Sequence, residues 1–278
     1  MRNIKLLIEY EGTNYAGWQR QTPREPSVGA GLKPAPTIQQ TLEDAIEQII
    51  HEKVILYGAS RTDAGVHAMG QVAHFKTTFE IPVIKLPRAI NAHLPHDIAV
   101  KSAEEVPDTF HAQFDAKSKV YRYTILNEPL RCALFRNFCY HFPSSLDINR
   151  MKEASQFLLG THDFRSFQTH TYTKKNSVRT LSVIEIKRSC ALPIAPTASL
   201  PLEGGGEGGG EKNGFIHFLL EADGFLYNMA RAIVGTLLEV GRGKITPDEF
   251  KRILDAKNRR LAGETVPAKG LCLVEVKY

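Results

Sequence analysis

The sequence has no apolar run that approaches the roughly 20 residues a membrane-spanning helix needs. Its first residues, MRNIKLLIEYEG, lack both the long apolar core and the small-residue cleavage site of a secretory signal. We therefore expect a cytoplasmic protein with no membrane partner.

Cysteine is scarce and scattered, which argues against two kinds of cross-link. The four cysteines include no C-x-x-C pair and have no histidines at metal-binding spacing; they are Cys132, Cys139, Cys190 and Cys272. Neither a zinc site nor a disulfide framework is indicated. The sequence also has no H-E-x-x-H pattern, no serine–histidine–aspartate order and no phosphate-cradling glycine loop. We therefore expect no metal.

The remaining composition is that of an ordinary folded protein. The 278 residues are 42% hydrophobic, enough to build a core for one large domain or two modest ones. Thirty-five Lys and Arg against 30 Asp and Glu give a formal charge of +5. This mild excess fits binding to a polyanion, but it is also common among ordinary cytosolic proteins. Charge alone leaves the function open.

Hydrophobic periodicity predicts interspersed strands and helices. The clearest strand is 117–127, KSKVYRYTILN, whose side chains alternate between two faces. A helix is predicted to begin after Thr37, which forms a capping-box signature with Gln40. Because the strands have short connections and antiparallel neighbours, we predict the α+β class rather than a doubly wound parallel sheet.

Two segments are rich in Pro and Gly and show no periodicity. Residues 22–36 are predicted to be a surface excursion or mobile loop. Residues 190–213 include GGGEGGG and cannot bury enough apolar area to order themselves, so we predict a flexible hairpin tip there.

Residues 58–71, GASRTDAGVHAMGQ, place charged side chains between two runs predicted to be strands, VILYGAS and QVAHFKT. A plain turn uses an aspartate such as Asp63 for a local hydrogen bond and a glycine such as Gly65 for a positive φ angle. It does not need Arg61, two residues before the carboxylate. A carboxylate held near a guanidinium stays ionised at neutral pH, as a nucleophile or general base must. The segment is therefore either a surface turn or a catalytic loop.

Three further places carry polar groups whose role the sequence leaves open. Tyr121, in the predicted strand, either offers a ring and a hydroxyl to a nucleobase or packs in the core. Arg231 lies in an otherwise apolar helix, so it must reach water or pair with a carboxylate or phosphate. The segment NYAGWQRQ suits either RNA contact or a packed loop corner.

Seven segments, in the same order along nearly the whole chain, resemble the tRNA pseudouridine synthase A family; they are EYEGTNYAGWQRQ, GASRTDAGVHAMGQVAHF, KVYRYTI, HDFRSF, VRT, FLYNMARAIVGTL and PAKGLCLVEV. R-T-D-A-G-V-H-A is highly specific among them. The resemblance implies an isomerase that needs no cofactor and converts uridine to pseudouridine at positions 38 to 40 of the tRNA anticodon stem-loop. It also implies an RNA-binding cleft and a homodimer on which tRNA docks.

For the fold, the resemblance implies two similar halves that share an extended antiparallel sheet flanked by helices, the pseudouridine synthase fold. We expect an N-terminal half with the catalytic loop at 1–115 and a C-terminal half at 116–278. The tracts 22–36 and 190–213 look like insertions relative to the family's compact spacing. They fall between the motifs, so they bear on tRNA docking rather than on the reaction.

Site residues follow from the resemblance position by position. Asp63 matches the essential catalytic aspartate, and Arg61 matches the arginine beside it. Tyr121 matches the active-site tyrosine of the Y-R-Y strand, and Arg231 matches the basic residue that pairs with the aspartate. The residues that we expect to contact RNA are Gln19, Arg20, His67, Tyr121 and Arg122.

Two questions stay open at the level of sequence. Asp63 can add to C1′ of the ribose, add to the uracil ring, or remove the C2′ proton, and no residue pattern chooses among these routes. The activity also has two rivals, an RNA-binding module without catalysis and a pseudouridine synthase for another RNA. A carboxylate facing a phosphate-binding cleft lowers affinity for a polyanion, so Asp63 favours an enzyme over a binding module.

Overall fold

The computed structural model describes residues 1–21, 35–169, 176–189 and 214–278. The predicted tract 190–213, and all of 22–36 except its last two residues, lie outside the described residues. The chain forms two compact units. Unit 1 comprises Met1–Lys117 and Glu275–Tyr278, and unit 2 comprises Ser118–Val274.

Helices and strands are interspersed along the described residues. The helices are α1 (Ile38–Ile50), α2 (Leu86–Asn91), α3 (Ile148–Gln156), α4 (Met229–Gly241) and α5 (Pro247–Ala256). The strands are β1 (Arg2–Tyr10), β2 (Tyr57–Gly58), β3 (His67–Thr77), β4 (Ile98–Val106), β5 (Ser118–Leu126), β6 (Tyr140–His141), β7 (Gly160–Asp163), β8 (Val178–Ser189), β9 (Phe215–Ala222) and β10 (Leu271–Lys277).

In unit 1, strand β1 lies between β3 and β4 and pairs antiparallel with both. Strand β2 pairs antiparallel with the other edge of β3. Alternate residues of β1 are fully buried, which gives the sheet one apolar face; they are Ile4, Leu6 and Ile8. This sheet carries the loop between β2 and β3, where the predicted catalytic residues lie.

The capped helix predicted after Thr37 is confirmed, because the Thr37 side chain accepts a hydrogen bond from the backbone N–H of Gln40 at the start of α1. The strand predicted at VILYGAS is wrong over most of its length, since only Tyr57–Gly58 pairs. The backbone of Leu56 instead donates to the carboxylate of Glu43 on α1. A side chain has taken the place of a strand partner there.

In unit 2, β9 pairs antiparallel with β5 on one side and β8 on the other, and β7 extends the sheet beyond β8. The short β6 pairs with β5 in parallel. Helix α5 begins with a capping box: the Thr246 hydroxyl and the Glu249 carboxylate exchange hydrogen bonds with each other's backbone N–H, and Pro247 opens the helix.

Mainly antiparallel strands with flanking helices confirm the predicted α+β class. The strand predicted at 117–127 is confirmed as β5. Among the helices in the described ranges, none combines the length and apolarity required to traverse a lipid bilayer.

Candidate active site

The loop between β2 and β3 has a backbone fixed from within unit 1. Ala59 N–H donates to the carbonyl of Val72 at 2.7 Å. The fully buried side chain of Gln71 then holds Ser60 from both sides, accepting from its N–H at 3.2 Å and donating to its carbonyl at 2.7 Å. At the far end, Val66 N–H donates to the carbonyl of Asp63 at 3.1 Å, which closes a tight turn.

The end of β1 and the residues that follow it, 10–18, brace this loop from the other side, and we call them the bracing segment. The hydroxyls of Tyr10 and Thr62 form a buried hydrogen bond of 2.7 Å. Trp18 N–H donates to the carbonyl of Thr62 at 3.0 Å. Trp18 is itself 1% exposed, so the predicted packed loop corner is the correct description of this residue. Thr62 is thus anchored through both its side chain and its backbone.

Two glycines allow the bracing segment to lie directly against the loop. A Cβ atom at Gly12 would stand 2.0 Å from the carbonyl oxygen of Val66. A Cβ at Gly17 would stand 2.7 Å from the carbonyl oxygen of Thr62, and Gly17 also has a φ of +100°. Any side chain at either position must push the two backbones apart. The glycines of EGTNYAGW therefore set the position of the loop between β2 and β3.

The braced backbone holds its two charged side chains at the surface. Asp63 is partly exposed and Arg61 is exposed. Gly65 takes the positive φ predicted for it, 78°. Within the described part of the chain Arg61 makes no hydrogen bond or ion pair, so it does not neutralise Asp63 directly. The catalytic role of Asp63 and the supporting role of Arg61 stay predictions.

Gln19 and Arg20 belong to a network on the N-terminal side of α1. The Gln19 amide donates to Gln39 Oε1 at 2.7 Å, and the Arg20 guanidinium pairs with the buried carboxylate of Glu43 at 2.9 Å. This contact with Glu43 raises the pKa of Arg20. About half of the Arg20 side chain remains exposed. Their predicted RNA contacts stay predictions.

His67 lies at the start of β3 and is 4% exposed. Its Nδ1 atom accepts a hydrogen bond of 3.1 Å from the backbone N–H of Gly12. Nδ1 is therefore unprotonated and Nε2 carries the proton of the neutral ring. This bond joins the end of the loop between β2 and β3 to the bracing segment. The predicted RNA contact of His67 stays a prediction.

In unit 2, strand β5 supplies a row of buried polar residues. Tyr121 is 5% exposed, and its ring packs edge-on against Phe225 with centroids 4.9 Å apart. Arg122 is 4% exposed, and burial lowers the pKa of its guanidinium. Tyr123 is fully buried and donates its hydroxyl to the carbonyl of Pro267 at 2.8 Å. The roles predicted for Tyr121 and Arg122 stay predictions.

Arg231 lies in the first turn of α4, in unit 2, and satisfies part of its guanidinium locally. Nε donates to the carbonyl of Val266 at 2.8 Å, and Nη1 donates to the Asn228 side chain at 2.7 Å. The helix approaches this segment closely, because a Cβ at Gly235 would stand 1.8 Å from the carbonyl oxygen of Glu264. The predicted pairing of Arg231 with Asp63 stays a prediction.

The residues that brace the loop had no recognisable role in the sequence. Tyr10, Gly12, Gly17 and Gln71 lie in or beside the recognised motifs but carry no chemistry of their own. The available signal was the repeated glycine of EGTNYAGW, since glycine is required wherever two backbones approach closely. In the described ranges, no group of three His, Cys, Asp or Glu side chains is placed to hold a metal ion.

Comparison with known proteins identifies the family. A family model described as tRNA pseudouridine synthase matches residues 6–115 and 154–278. Asp63, Arg61 and Arg231 lie within the matched stretches, whereas Tyr121 does not.

Full-length relatives carry the same description. The tRNA pseudouridine synthase A of Acetivibrio thermocellus is 45% identical over 278 residues, and that of Thermoanaerobacter sp. is 43% identical over 278 residues. A protein of Clostridium perfringens named tRNA pseudouridine synthase A 2 is 45% identical over 278 residues. Each comparison covers 100% of this chain and 100% of the relative. The chain belongs to the tRNA pseudouridine synthase family.

Proposed function

We propose that this chain isomerises uridine to pseudouridine in tRNA, at positions 38 to 40 of the anticodon stem-loop. Membership of the tRNA pseudouridine synthase family carries the proposal. The braced R-T-D-A-G loop supports it, because it presents one acidic side chain at the surface of unit 1 on a rigid backbone. A rigid placement is what a catalytic carboxylate needs.

The reaction rearranges one nucleoside and consumes nothing else. The bond between N1 of uracil and C1′ of ribose breaks, the ring rotates, and a bond forms between C5 and C1′. C5 loses its proton and N1 gains one, so atoms and charge balance without a second substrate. The reaction therefore requires three things from the protein: a carboxylate, a surface that contacts the rotating base, and a group that transfers one proton.

We assign the carboxylate to Asp63, acting on C1′, on the uracil ring or on the C2′ proton. Before it can act, the target uridine must leave its stack, at a cost of a few kcal/mol. Arg61 is exposed and makes no ion pair among the described residues, which suits it to fill the vacated space or to follow the phosphate backbone. In this role Arg61 does not need to form an ion pair with Asp63.

We assign the base contact and the proton relay to Tyr121, and orientation of the carboxylate to Arg231. Tyr121 has a ring fixed by Phe225, which suits a stacking surface that must not move. Arg231 is held by two local hydrogen bonds. Gln19, Arg20, His67 and Arg122 complete the proposed RNA contacts. We further propose that the protein is a homodimer in the cytoplasm and uses no cofactor.

The test is direct and uses the full-length chain. The purified protein is incubated with unmodified tRNA transcripts, without added metal or cofactor, and pseudouridine is mapped by carbodiimide treatment and reverse-transcription stops. We expect stops at positions 38 to 40 and nowhere else in the transcripts.

Controls separate this activity from its rivals. Transcripts with cytidine in place of the target uridine must give no stops, and fragments of ribosomal RNA test the breadth of the substrate range. Stops only in the ribosomal fragments would transfer the activity to another RNA. Tight tRNA binding with no stops in any RNA would leave a binding module and overturn the proposed function.

A further inference from the structure

A second group of basic side chains lies in unit 2, on the same face of the sheet as Tyr121. Lys119 and Tyr121 are two residues apart on β5, so their side chains share a face. Lys119 is opposite Ala222 on β9, and Ala222 is opposite Leu181 on β8. Arg179 precedes Leu181 by two residues, which places it on this face as well.

Contacts around this face join the basic residues to the tyrosine. A Cβ atom at Gly224 would stand 3.2 Å from Nε of Arg179, so the arginine stem lies against this glycine. The next residue, Phe225, holds the ring of Tyr121. Lys119, Arg179, Gly224, Phe225 and Tyr121 therefore form one continuous cluster, which we call the Lys119–Arg179 cluster.

Among the described residues, no acidic side chain pairs with either cation of this cluster. Lys119 is partly buried and, among the described residues, makes no hydrogen bond and no ion pair. Arg179 uses Nη1 on the backbone carbonyls of Asn176 and Val178, and within the described ranges its Nε and Nη2 atoms have no acceptor. Burial and, to a lesser degree, the charge of Arg179 lower the pKa of Lys119 to about 8.

The acidic residues nearby are engaged elsewhere. Glu221 is opposite Val120 and so lies on the other face of the sheet, where its carboxylate accepts from the Ser118 hydroxyl at 2.6 Å. The Asp223 carboxylate accepts from the backbone N–H of Thr180 at 3.1 Å. Neither acid forms an ion pair with Lys119 or Arg179.

Two neighbouring cations without a counterion among the described residues destabilise the free protein, because they repel each other and Lys119 is also desolvated. An anion that enters between them gains charge-assisted hydrogen bonds from both and removes the repulsion. The position of the Lys119–Arg179 cluster beside Tyr121 indicates which anion binds, because the proposed function places the target base at this tyrosine. The phosphodiester group nearest that base is the anion within reach.

We propose that Lys119 and Arg179 together bind one phosphate of the RNA backbone next to the target uridine. This proposal rests on the proposed function for the identity of the RNA. It adds two positioning residues on the sheet of unit 2 to the residues of the catalytic motif. Fixing the phosphate beside a flipped nucleotide also fixes the ribose on which the reaction occurs.

The first experiment measures the dissociation constant of a fluorescent tRNA transcript by anisotropy, from about 50 to about 200 mM KCl, where phosphate contacts dominate the salt dependence. Lys119→Met and Arg179→Gln should each weaken binding about tenfold, and each should reduce the slope of log Kd against log salt by about 0.7 to 0.9, the value for one phosphate. The double variant should lose no more slope than either single variant, because both side chains hold the same phosphate.

The matched control is Lys187→Met. Lys187 lies on β8 of the same unit, has a side chain that is 40% exposed, and already pairs with Glu185 at 2.6 Å. Its removal changes net charge by the same amount, so an effect equal to that of Lys119→Met would reduce the proposal to general electrostatics and overturn it. Lys119→Arg should retain the salt slope of the wild type.

A second experiment neutralises the ligand instead of the protein. Anticodon stem-loops with a methylphosphonate at either phosphate flanking the target uridine should bind the wild type about tenfold more weakly at one of the two positions. Lys119→Met should show no further loss at that position. Independent, additive losses would overturn the proposal.

Thermal unfolding separates binding from folding. Lys119→Met should not lower Tm, because it removes a desolvated cation that makes no ion pair within the described ranges. A lower Tm with an unchanged salt slope would assign Lys119 a structural role and overturn the proposal. Wild-type protein that binds tRNA but makes no pseudouridine would refute the proposed function alone, since the salt slopes test the phosphate site whether or not turnover occurs.

Discussion

The loop between β2 and β3 in unit 1 and the strand β5 in unit 2 present polar groups in opposite ways. In the loop the backbone is fixed and the charged side chains of Arg61 and Asp63 stand at the surface. In β5 the backbone follows a regular ladder, and Tyr121, Arg122 and Tyr123 are each no more than 5% exposed. The loop therefore fixes the position of side chains that reach the surface, whereas β5 surrounds its polar side chains with packed protein atoms.

The difference shows in the protonation behaviour of the β5 residues. Burial lowers the pKa of Arg122 and raises that of the Tyr123 hydroxyl well above its ordinary value. In both residues the charged form is the one that burial disfavours. Substitutions in the loop should therefore act through backbone position and the exposed charge, whereas those in β5 should act through lost contacts of single side chains.

The largest expected effect is that of Asp63→Asn. The change keeps the shape of the side chain and removes the charge that the reaction needs, so turnover should fall by about 1,000-fold or more. Binding of tRNA should persist or tighten slightly, because a negative charge has left a surface that meets a polyanion. Single-turnover pseudouridine release and the anisotropy assay check both halves. Undiminished turnover would remove Asp63 from the catalytic role.

A smaller effect tests whether the backbone of the loop between β2 and β3 is rigid. Gly17 and Gly160 both have positive φ, +100° and +95°. An added Cβ meets the Thr62 carbonyl oxygen at 2.7 Å in Gly17, but in Gly160 it meets only the His162 ring, at 3.8 Å. Gly160→Ala should destabilise by about 1–2 kcal/mol through φ alone. Gly17→Ala should cost about 3–4 kcal/mol, because the clash adds to the strain.

Urea unfolding of the two glycine variants measures these costs, and turnover is recorded for the protein that remains folded. Gly17→Ala should lose turnover because the loop that holds Asp63 moves, whereas Gly160→Ala should keep it. Equal destabilisation of the two variants would show that the bracing segment shifts and relieves the clash with Thr62. The loop would then not be rigid.

The smallest expected effects test the strand side, through two tyrosines on β5. Tyr123→Phe removes a buried hydrogen bond to Pro267 and should cost about 1–2 kcal/mol of stability while leaving kcat near the wild-type value. Tyr121→Phe keeps the ring beside Phe225 but loses the hydroxyl proposed to relay the C5 proton. It should lower kcat about 100-fold. Reversed outcomes for kcat would exchange the roles of the two residues.

Much of the local structure was predictable. The cap at Thr37, the alternation of 117–127 and the turn residues Asp63 and Gly65 are short-range features that any chain with these residues favours. The strand predicted at VILYGAS was wrong over most of its length, because an apolar run indicates burial but not which group forms hydrogen bonds with the backbone. The backbone N–H of Leu56 donates to the carboxylate of Glu43 and not to a neighbouring strand.

The candidate site divides in the same way. The R-T-D-A-G motif drew attention to Asp63 and Arg61, but it suggested a guanidinium held near the carboxylate, and in the described part of the chain Arg61 makes no ion pair. Nor did any motif indicate that Lys119 and Arg179 share a face of the sheet. Adjacency across strands depends on register, and a single strand does not encode the register of its neighbours.

By itself the sequence determined the class of fold and the family, and it singled out the R-T-D-A-G loop as the candidate site, because each depends on local patterns or on motifs that can be read in order. Only the tertiary structure decided which polar groups are paired. Arg20 meets Glu43 across 23 positions, Tyr10 meets Thr62 across 52, and Tyr123 meets Pro267 across 144. Contacts between such distant positions form only when packing brings the segments together, so no local pattern announces them.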